Sequence, residues 1–286
     1  MSDANEVLYD VKDRIATITL NRPERMNSID DTMPINIAKA MAKAGSDPGV
    51  RAIILTGAGR AFCAGADIGR LQRRSGGERP PPPADDPTII PTISLGHGPD
   101  LGKEFADVRR YSYFMRINKP VIAALNGATA GLGLIMALCA DMRFATDKMI
   151  FTTAFAQRGL IAEHGIAWLL PRLVGPSNAV DLLLSARRVT AQEALAMNLV
   201  NRVFPQETFM DDVRAYARVL TDTVSPHSMA VIKAQIWKGM FETYAENLVE
   251  ADKQLVLNYP YPDYKEGVSH FVEKRAANFP DLTRAS

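Results

Sequence analysis

Two stretches of small residues follow two apolar segments, and together they could bind an oxyanion. Residues 52–55 lead to Ala64-Gly65-Ala66, and residues 121–125 lead to Gly131-Leu132-Gly133. Each stretch is typical of a buried strand, a tight turn and a helix start, where backbone N–H groups are unpaired and the helix dipole is positive. Two such turns aimed at one point would stabilise negative charge developing on an oxygen atom. Spacing alone still favours the plainer interpretation of two close-packed turns.

Other catalytic signatures are missing from the sequence. It contains no Gly-x-x-x-x-Gly-Lys-Ser/Thr loop, no Gly-x-Gly-x-x-Gly after a strand, no Gly-x-Ser-x-Gly turn and no His-Glu-x-x-His pair. Its four histidines are scattered, so we expect no metal site. Cys63 and Cys139 are its only cysteines, which predicts no disulfide framework and favours a reducing, cytoplasmic setting. We interpret Cys63, beside the first turn, as a packing residue.

Composition excludes several classes of protein. The 286 residues carry 33 Lys and Arg against 32 Asp and Glu, a net charge of +1, which gives no general attraction to nucleic acid or an anionic membrane. No apolar run approaches the ~20 residues that span a bilayer. The first residues lack the order of a secretory signal. With 47% hydrophobic residues, the chain is long enough for one large domain with a sizeable core.

The pattern of elements predicts an α/β fold. Strands are expected at 7–11, 15–20, 51–55, 120–125, 142–144 and 149–151, with helices between them, the first capped by Ser28 or Asp30. Beyond about residue 205 only helices are expected, one starting at Ser225-Pro226 and running towards Leu257, and the last between about 263 and 278. We therefore divide the chain into a core over 1–205, interrupted by a mobile proline-rich loop at 75–102, and a helical region over 206–286.

Several segments occur together in one order. The main ones are Ile53-Ile54-Leu55-Thr56-Gly57, Ala61-Phe62-Cys63-Ala64-Gly65-Ala66-Asp67-Ile68 and Lys119-Pro120-Val121-Ile122-Ala123-Ala124-Leu125-Asn126-Gly127; supporting ones are Leu20-Asn21-Arg22-Pro23, Leu169-Leu170-Pro171-Arg172-Leu173-Val174-Gly175 and Phe271-Val272-Glu273-Lys274-Arg275. From about residue 6 to 280 the chain resembles the enoyl-CoA hydratase/isomerase, or crotonase, superfamily. The motifs are specific for the superfamily and much less so for the reaction.

The resemblance implies a spiral of ββα turns with a C-terminal helical trimerisation region, assembled as a homotrimer or a dimer of trimers. It also implies an acyl-CoA thioester substrate and no cofactor beyond the CoA moiety of that substrate. In such enzymes two backbone N–H groups bind the thioester oxygen and stabilise an enolate. Here the matching donors are Ala66 and Leu132, and a backbone donor requires no particular side chain.

The resemblance also implies residues that contact CoA. The backbone of Ala64 and Ile68 would meet the adenine end, Ala66 and Asp67 belong to the same segment, and Phe271 and Lys274 match positions that line the nucleotide. Arg25 could reach a CoA phosphate, as could Arg70, Arg73 and Arg74. Without the family, Lys274 would be interpreted as a solvated helix residue and Asp67 as a helix cap.

The acid–base residues depart from the hydratase pattern. The two positions where hydratases carry glutamates align with Ile135 and Phe155, which puts hydration in doubt. Gly159-Leu160-Ile161-Ala162-Glu163-His164-Gly165 resembles a branch, including enoyl-CoA isomerases of the phenylacetate-pathway type, in which an aspartate at the place of Glu163 shuttles a proton. Glu163 could remove and return a proton while the apolar pair excludes water. His164 is a second candidate, either as proton carrier or as the group that orients Glu163.

Other interpretations remain open. The protein could be a hydratase that uses Glu163 and His164, or a thioester hydrolase or carbon–carbon bond-cleaving member of the superfamily. It could also be an acyl-CoA-binding subunit without activity. Binding to RNA ranks last because the net charge is +1.

Overall fold

Residues 6–77, 101 and 111–282 of the chain are described by the computed structural model. The mobile loop predicted for residues 75–102 lies mainly outside the described residues. At its start, Ser75 is the last residue of a helix and a turn follows over residues 76–77.

Strands and helices alternate along the described chain as far as Phe204. The strands are β1 (Val7–Lys12), β2 (Ile15–Leu20), β3 (Ala52–Gly57), β4 (Ala61–Cys63), β5 (Val121–Leu125), β6 (Ala128–Ala130), β7 (Met142–Thr146), β8 (Ile150–Thr152), β9 (Val189–Thr190) and β10 (Arg202–Phe204). The helices between them are α1 (Met33–Ser46), α2 (Ile68–Ser75), α3 (Leu132–Cys139), α4 (Ile166–Val174), α5 (Pro176–Ser185) and α6 (Ala191–Ala196). Helices alone follow: α7 (Phe209–Thr223), α8 (Pro226–Gly239), α9 (Tyr244–Asn258) and α10 (Pro262–Glu273). The predicted alternation of strands and helices followed by helices alone is confirmed, but the short strands β4, β6, β9 and β10 were not predicted.

From β3 onwards, successive pairs of strands contribute one strand to each of two sheets. The first sheet has six strands in the order β1-β2-β3-β5-β7-β10, and the second has four in the order β4-β6-β8-β9. The β1–β2 and β8–β9 pairs are antiparallel, and the pairs from β2 to β10 in the first sheet are parallel. The repeat of strand, strand and helix is the ββα arrangement that the family resemblance implies.

The larger sheet is buried on both faces at its central strands β3 and β5. Ile53 and Leu55 of β3 belong to the main apolar cluster, whereas Ile54 between them belongs to a second cluster with Phe209 and Val213 of α7. Successive side chains of a strand point to opposite faces, so a strand that is covered on both sides must be apolar throughout. This requirement explains the continuous apolar run of β3.

Two helix predictions in the C-terminal region are wrong in their bounds. The helix expected from Ser225 towards Leu257 is divided into α8 and α9, because the Thr243 hydroxyl accepts the Glu246 N–H while the Glu246 carboxylate accepts the Thr243 N–H, which begins a new helix. The last helix ends at Glu273 rather than near residue 278. Lys274 adopts a left-handed conformation with φ 53° and donates its N–H back to the helix, which terminates it.

Candidate functional site

The second sheet brings the two predicted turns to one edge. Strands β4 and β6 pair in parallel, with Ala61 opposite Ala128 and Cys63 opposite Thr129. Because parallel strands end at the same edge of a sheet, the chain leaves both strands on the same side. The residues that follow are Ala64-Gly65-Ala66 after β4 and Gly131-Leu132 after β6.

Gly65 and Gly131 allow the two turns to touch. Gly65 has φ +99° and Gly131 has φ +49°, a region that side chains disfavour. A Cβ atom on Gly65 would lie 3.0 Å from the carbonyl oxygen of Ala130 and 3.7 Å from the Cα of Gly131. The turns are therefore packed backbone against backbone, and the residues after these glycines, Ala66 and Leu132, are held close together.

The backbone around Ala66 directs its N–H away from the neighbouring segment. Ile29 donates its N–H to Gly65 at 2.7 Å and accepts the N–H of Asp67 at 2.9 Å, forming an isolated parallel bridge opposite Ala66. Since successive peptide groups of an extended chain alternate in direction, the N–H of Ala66 points to the side opposite Ile29.

Leu132 begins α3, so its N–H has no acceptor within the helix. Within residues 6–77, 101 and 111–282, no hydrogen bond uses the N–H of either Ala66 or Leu132. Two backbone donors therefore remain available on two turns in contact. This arrangement suits an oxygen atom that carries negative charge.

Asp67 caps α2 as the sequence predicts. Its carboxylate accepts the N–H of Gly69 at 2.9 Å and the hydroxyl of Ser28 at 3.3 Å, and it lies 3.6 Å from the guanidinium of Arg22. The cap fixes the start of the helix directly after Ala66.

Cys63 is completely buried between the two turns. Burial raises the pKa of its thiol to about 12, so the thiol stays protonated at neutral pH. A Cβ atom on Gly133 would lie 2.4 Å from the carbonyl oxygen of Cys63, which shows how closely the start of α3 packs on β4. These features match a packing residue rather than a nucleophile.

Glu163 and His164 lie together in a tight turn before α4. The Nε2 atom of His164 is 3.6 Å from a carboxylate oxygen of Glu163. The His164 side chain is 20% exposed and the Glu163 side chain is 34% exposed. Ile166 donates its N–H to the Glu163 carbonyl at 3.1 Å, and the two central residues, His164 and Gly165, have φ +54° and +79°. Two positive φ values are typical of a type I′ turn. The turn holds a carboxylate beside an imidazole, both within reach of solvent.

Ile135 and Phe155 are buried in the apolar cluster that also contains Leu132. Their exposed fractions are 1% and 4%, and Ala66, Leu160 and Trp168 pack against the same cluster. Ile135 is on the first turn of α3, and Phe155 precedes the segment that leads to Glu163. Apolar side chains therefore occupy both positions at which the family resemblance implies hydratase glutamates. Trp168 also stacks on Phe241, with ring centroids 4.8 Å apart, and carries Arg172 over its ring at 3.9 Å.

The candidate CoA-contacting residues fall into two groups. Ala64 and Asp67 are partly buried beside Ala66, while Ile68, 72% exposed, and Arg25 lie on the surface of the same N-terminal half. Phe271, 79% exposed, and Lys274 lie at the carboxyl end of α10, outside the apolar cluster that holds Leu132. The residues of this second group are on the surface of the single chain.

Three polar residues that hold the backbone around the first turn could not be recognised from the sequence. Arg22 lies 3.1 Å from Asp30 and donates to the Ser28 carbonyl at 2.7 Å. Asn27 and Asn126 are buried and bond to backbone groups near β4. In the sequence, each is a polar residue next to an apolar strand or turn. The groups with which each forms hydrogen bonds are known only from the folded structure.

The described residues contain no group of three or more His, Cys, Asp and Glu side chains that could hold a metal ion. No helix among them is long and apolar enough to cross a membrane.

Proteins similar to this chain include members of one enzyme family and solved structures of the same fold. The family model for enoyl-CoA hydratase/isomerase matches residues 10–80 and 97–282. A 1,2-epoxyphenylacetyl-CoA isomerase from Escherichia coli is 35% identical over 96% of this chain and 97% of its own length. A crotonyl-CoA hydratase from Syntrophomonas wolfei is 31% identical over 96% of this chain and 97% of its own length. A probable enoyl-CoA hydratase/isomerase from Mycobacterium abscessus has a solved structure with a TM-score of 0.81, 27% identity, and coverage of 96% of this chain and 98% of its own.

Two sheets linked by repeated ββα units, with parallel strand ends that present backbone amides, define the crotonase class of folds, and the solved structures match it. Within that class, the chain belongs to the enoyl-CoA hydratase/isomerase family. It is an enzyme of the kind that processes acyl-CoA thioesters.

Proposed function

We propose that the protein moves a double bond, or an equivalent proton, within an acyl-CoA thioester through an enolate. The observation that carries this proposal is the contact between the Gly65 and Gly131 turns, together with the unengaged N–H groups of Ala66 and Leu132, the residues that follow these glycines. The thioester oxygen would accept both hydrogen bonds. These bonds strengthen as the carbonyl becomes an enolate, which lowers the barrier to proton removal.

Glu163 is the proposed proton carrier. Its carboxylate would remove a proton from a carbon next to the thioester carbonyl or conjugated with it. The electrons then move onto the oxygen held by Ala66 and Leu132. The same carboxyl group returns the proton to a different carbon, so no other reactant is consumed. A single acid–base group therefore suffices for isomerisation.

His164 is proposed to orient Glu163 and to exchange protons with it. Its Nε2 is 3.6 Å from the carboxylate, close enough for an ion pair when the imidazole is protonated.

Isomerisation is favoured over hydration by the apolar residues at Ile135 and Phe155. Addition of water needs two groups to hold and activate one molecule, and neither side chain can donate or accept a hydrogen bond. Both are almost completely buried. Hydration by Glu163 and His164 is the second candidate, supported by the relative named as a crotonyl-CoA hydratase.

Assembly as a homotrimer or a dimer of trimers is part of the proposal. Large apolar side chains are exposed along the last three helices: Ile232, Ile236, Tyr244, Val249, Val256, Val268, Phe271 and Val272. A groove of about 390 Å³ runs between α8 and α9. Exposed apolar area on three consecutive helices is more than a monomer usually shows, and a second copy of the chain would cover it. In such an assembly, Phe271 and Lys274 would reach the CoA bound by a neighbouring subunit.

A cytoplasmic location remains a prediction, compatible with two buried free thiols.

The proposal is tested with purified protein and three thioesters: crotonyl-CoA for hydration, a 3-enoyl-CoA for double-bond isomerisation and 1,2-epoxyphenylacetyl-CoA for the reaction named for the Escherichia coli relative. We expect turnover of the second or third and little of the first. Turnover of crotonyl-CoA alone would reassign the protein as a hydratase. Tight CoA-thioester binding without turnover of any substrate, in a wider thioester panel too, would indicate a subunit that only binds.

A further inference from the structure

Two buried asparagines donate to the same backbone carbonyl. The Nδ2 atom of Asn27 lies 2.8 Å from the carbonyl oxygen of Ala61, and that of Asn126 lies 3.3 Å from it. The exposed fractions of the two side chains are 0% and 9%. Ala61 begins β4, the strand that ends in the turn bearing Ala66. A carbonyl oxygen can accept two hydrogen bonds, so both contacts are compatible.

Asn27 belongs to the segment that braces the first turn. Its Oδ1 accepts the N–H of Arg22 at 2.8 Å, and its Nδ2 also donates to Ala58 at 2.9 Å. On either side of it, Met26 accepts the N–H of Ala64 at 3.0 Å and Ile29 bonds to the backbone around Ala66. The amide of Asn27 therefore links the segment 26–29 to the start of β4.

Asn126 belongs to the segment that leads to the second turn. Its Oδ1 accepts the N–H of Gly57 at 3.1 Å, and its Nδ2 also donates to Gly59 at 3.0 Å. The chain then passes through Gly127 and β6 directly to Gly131 and Leu132. A movement of Asn126 relative to β4 would consequently shift the second turn relative to the first.

We infer that Asn27 and Asn126 are positioning residues that set the separation of the Ala66 and Leu132 donors through their shared acceptor, the carbonyl of Ala61. The inference rests on the proposed function, because it assumes that these two N–H groups bind an enolate oxygen. Stabilisation of an oxyanion depends steeply on donor geometry, and a misplacement of about 1 Å can cost about 10²-fold in rate. Free CoA has no thioester carbonyl, so its affinity reports the binding of the CoA arm and does not report the separation of the two donors.

The test uses acetoacetyl-CoA, whose enolate absorbs in the near ultraviolet, so that the enolate fraction of the bound ligand reports oxyanion stabilisation without turnover. Asn27→Gly removes the amide and suits the left-handed backbone at this position, where φ is +55°. Asn126→Ala removes the second amide. The control is Thr146→Val, which removes a buried hydroxyl bonded to Gln206 at 2.8 Å on β7. Thermal unfolding and the affinity for free CoA are measured for every protein.

We expect each asparagine variant to lower the bound enolate ratio about 10-fold or more, with free-CoA affinity within about 3-fold of the parent. On the substrate that the parent turns over, kcat should fall and KM should change little. The double variant should lose less than the product of the single losses, because both amides act on one carbonyl. Thr146→Val should lower stability to a similar degree and leave the enolate ratio unchanged.

The inference is overturned if the asparagine variants are destabilised but retain the parental enolate ratio. It is also overturned if Thr146→Val lowers that ratio equally, since the effect would then follow from stability alone. If Asn27→Gly does not fold, the shape-conserving Asn27→Asp and Asn126→Asp variants, which lack the two amide donors, are judged by the same criteria. A parent protein that binds acetoacetyl-CoA without forming any enolate would instead contradict the proposed oxyanion site itself.

Discussion

The imidazole of His164 lies 3.6 Å from the carboxylate of Glu163, and a turn with left-handed backbone at His164 holds the two side chains together. A non-glycine residue with positive φ is uncommon and costs free energy. Histidine is among the residues that tolerate this conformation best, so the turn combines backbone geometry with a titratable partner for the carboxylate. The pair is the main acid–base candidate of the site.

Replacing Glu163 by Gln should lower kcat about 10²-fold or more on the true substrate while CoA affinity changes little. The amide keeps the size of the side chain but cannot accept the proton. Steady-state kinetics and calorimetric titration with CoA measure the two quantities. Intact turnover by the variant would exclude Glu163 as the proton carrier and direct attention to His164.

His164→Asn should preserve the turn, because asparagine also adopts positive φ, while it removes the imidazole. We expect a loss in kcat of about 10-fold, smaller than that of Glu163→Gln, together with a changed pH–rate profile. A profile and rate identical to those of the parent would assign His164 to packing alone.

Gly65→Ala should damage both stability and catalysis. The new Cβ would lie 3.0 Å from the Ala130 carbonyl oxygen in a backbone with φ +99°, which costs about 1–3 kcal/mol. Gly77→Ala is a matched control, since its φ is +98° but no atom of the residues that the structure describes lies within 4 Å of the added atom. Urea unfolding and kcat are measured for both. Equal loss of kcat in the two variants would show that contact with Gly131 is unimportant.

Because of Lys119, the free energy of unfolding should vary with pH in the alkaline range. Its ammonium is buried and donates to the carbonyls of Ala44 and Asp47 at the end of α1, and burial lowers its pKa from 10.5 to about 8. Between these values the unfolded chain binds more protons than the folded one, so stability rises with pH, and this gain is lost as pH falls through about 8.

A shift of this size corresponds to about 3 kcal/mol across the window from pH 8 to 10.5. Chemical denaturation of the parent and of Lys119→Met at several pH values isolates the contribution of this residue. As pH increases, the unfolding free energy of the parent should rise relative to that of Lys119→Met. Parallel pH profiles would contradict the assignment.

Substituting exposed apolar residues of α9 should weaken assembly. Val249 and Val256 are 71% and 65% exposed, and a glutamate at both positions would oppose burial against a second copy. Sedimentation should give a trimer or hexamer for the parent and smaller species for the double variant. A monomeric parent at micromolar concentration would contradict the proposed assembly.

Much of the fold could be predicted from local patterns. The apolar runs of β3 and β5 and the small-residue turns after β4 and β6 are continuous in sequence, so their roles as strands and turns were visible. The break between α8 and α9 was also encoded, by Thr243 and Glu246, but the surrounding helical residues concealed it. Bounds depend on such single caps, whereas element types depend on many residues.

The support of the candidate site could not be predicted in the same way. Asn27 and Asn126 are far apart in the chain and meet only at the Ala61 carbonyl, so neither residue alone indicates the other. The surface location of Phe271 and Lys274 is likewise a property of the folded chain, since a helix end has no fixed position relative to a distant turn. Pairing between distant residues requires the register of both sheets.

The donors at Ala66 and Leu132 belong to the main chain, and this protects them from ordinary mutation. Every amino acid except proline supplies the same N–H, so a substitution at either position that the packing tolerates would keep the proposed donor. Acid–base side chains elsewhere, such as Glu163, can then change without changing these proposed donors. A new reaction can in this way evolve while the main-chain groups proposed to stabilise negative charge are kept.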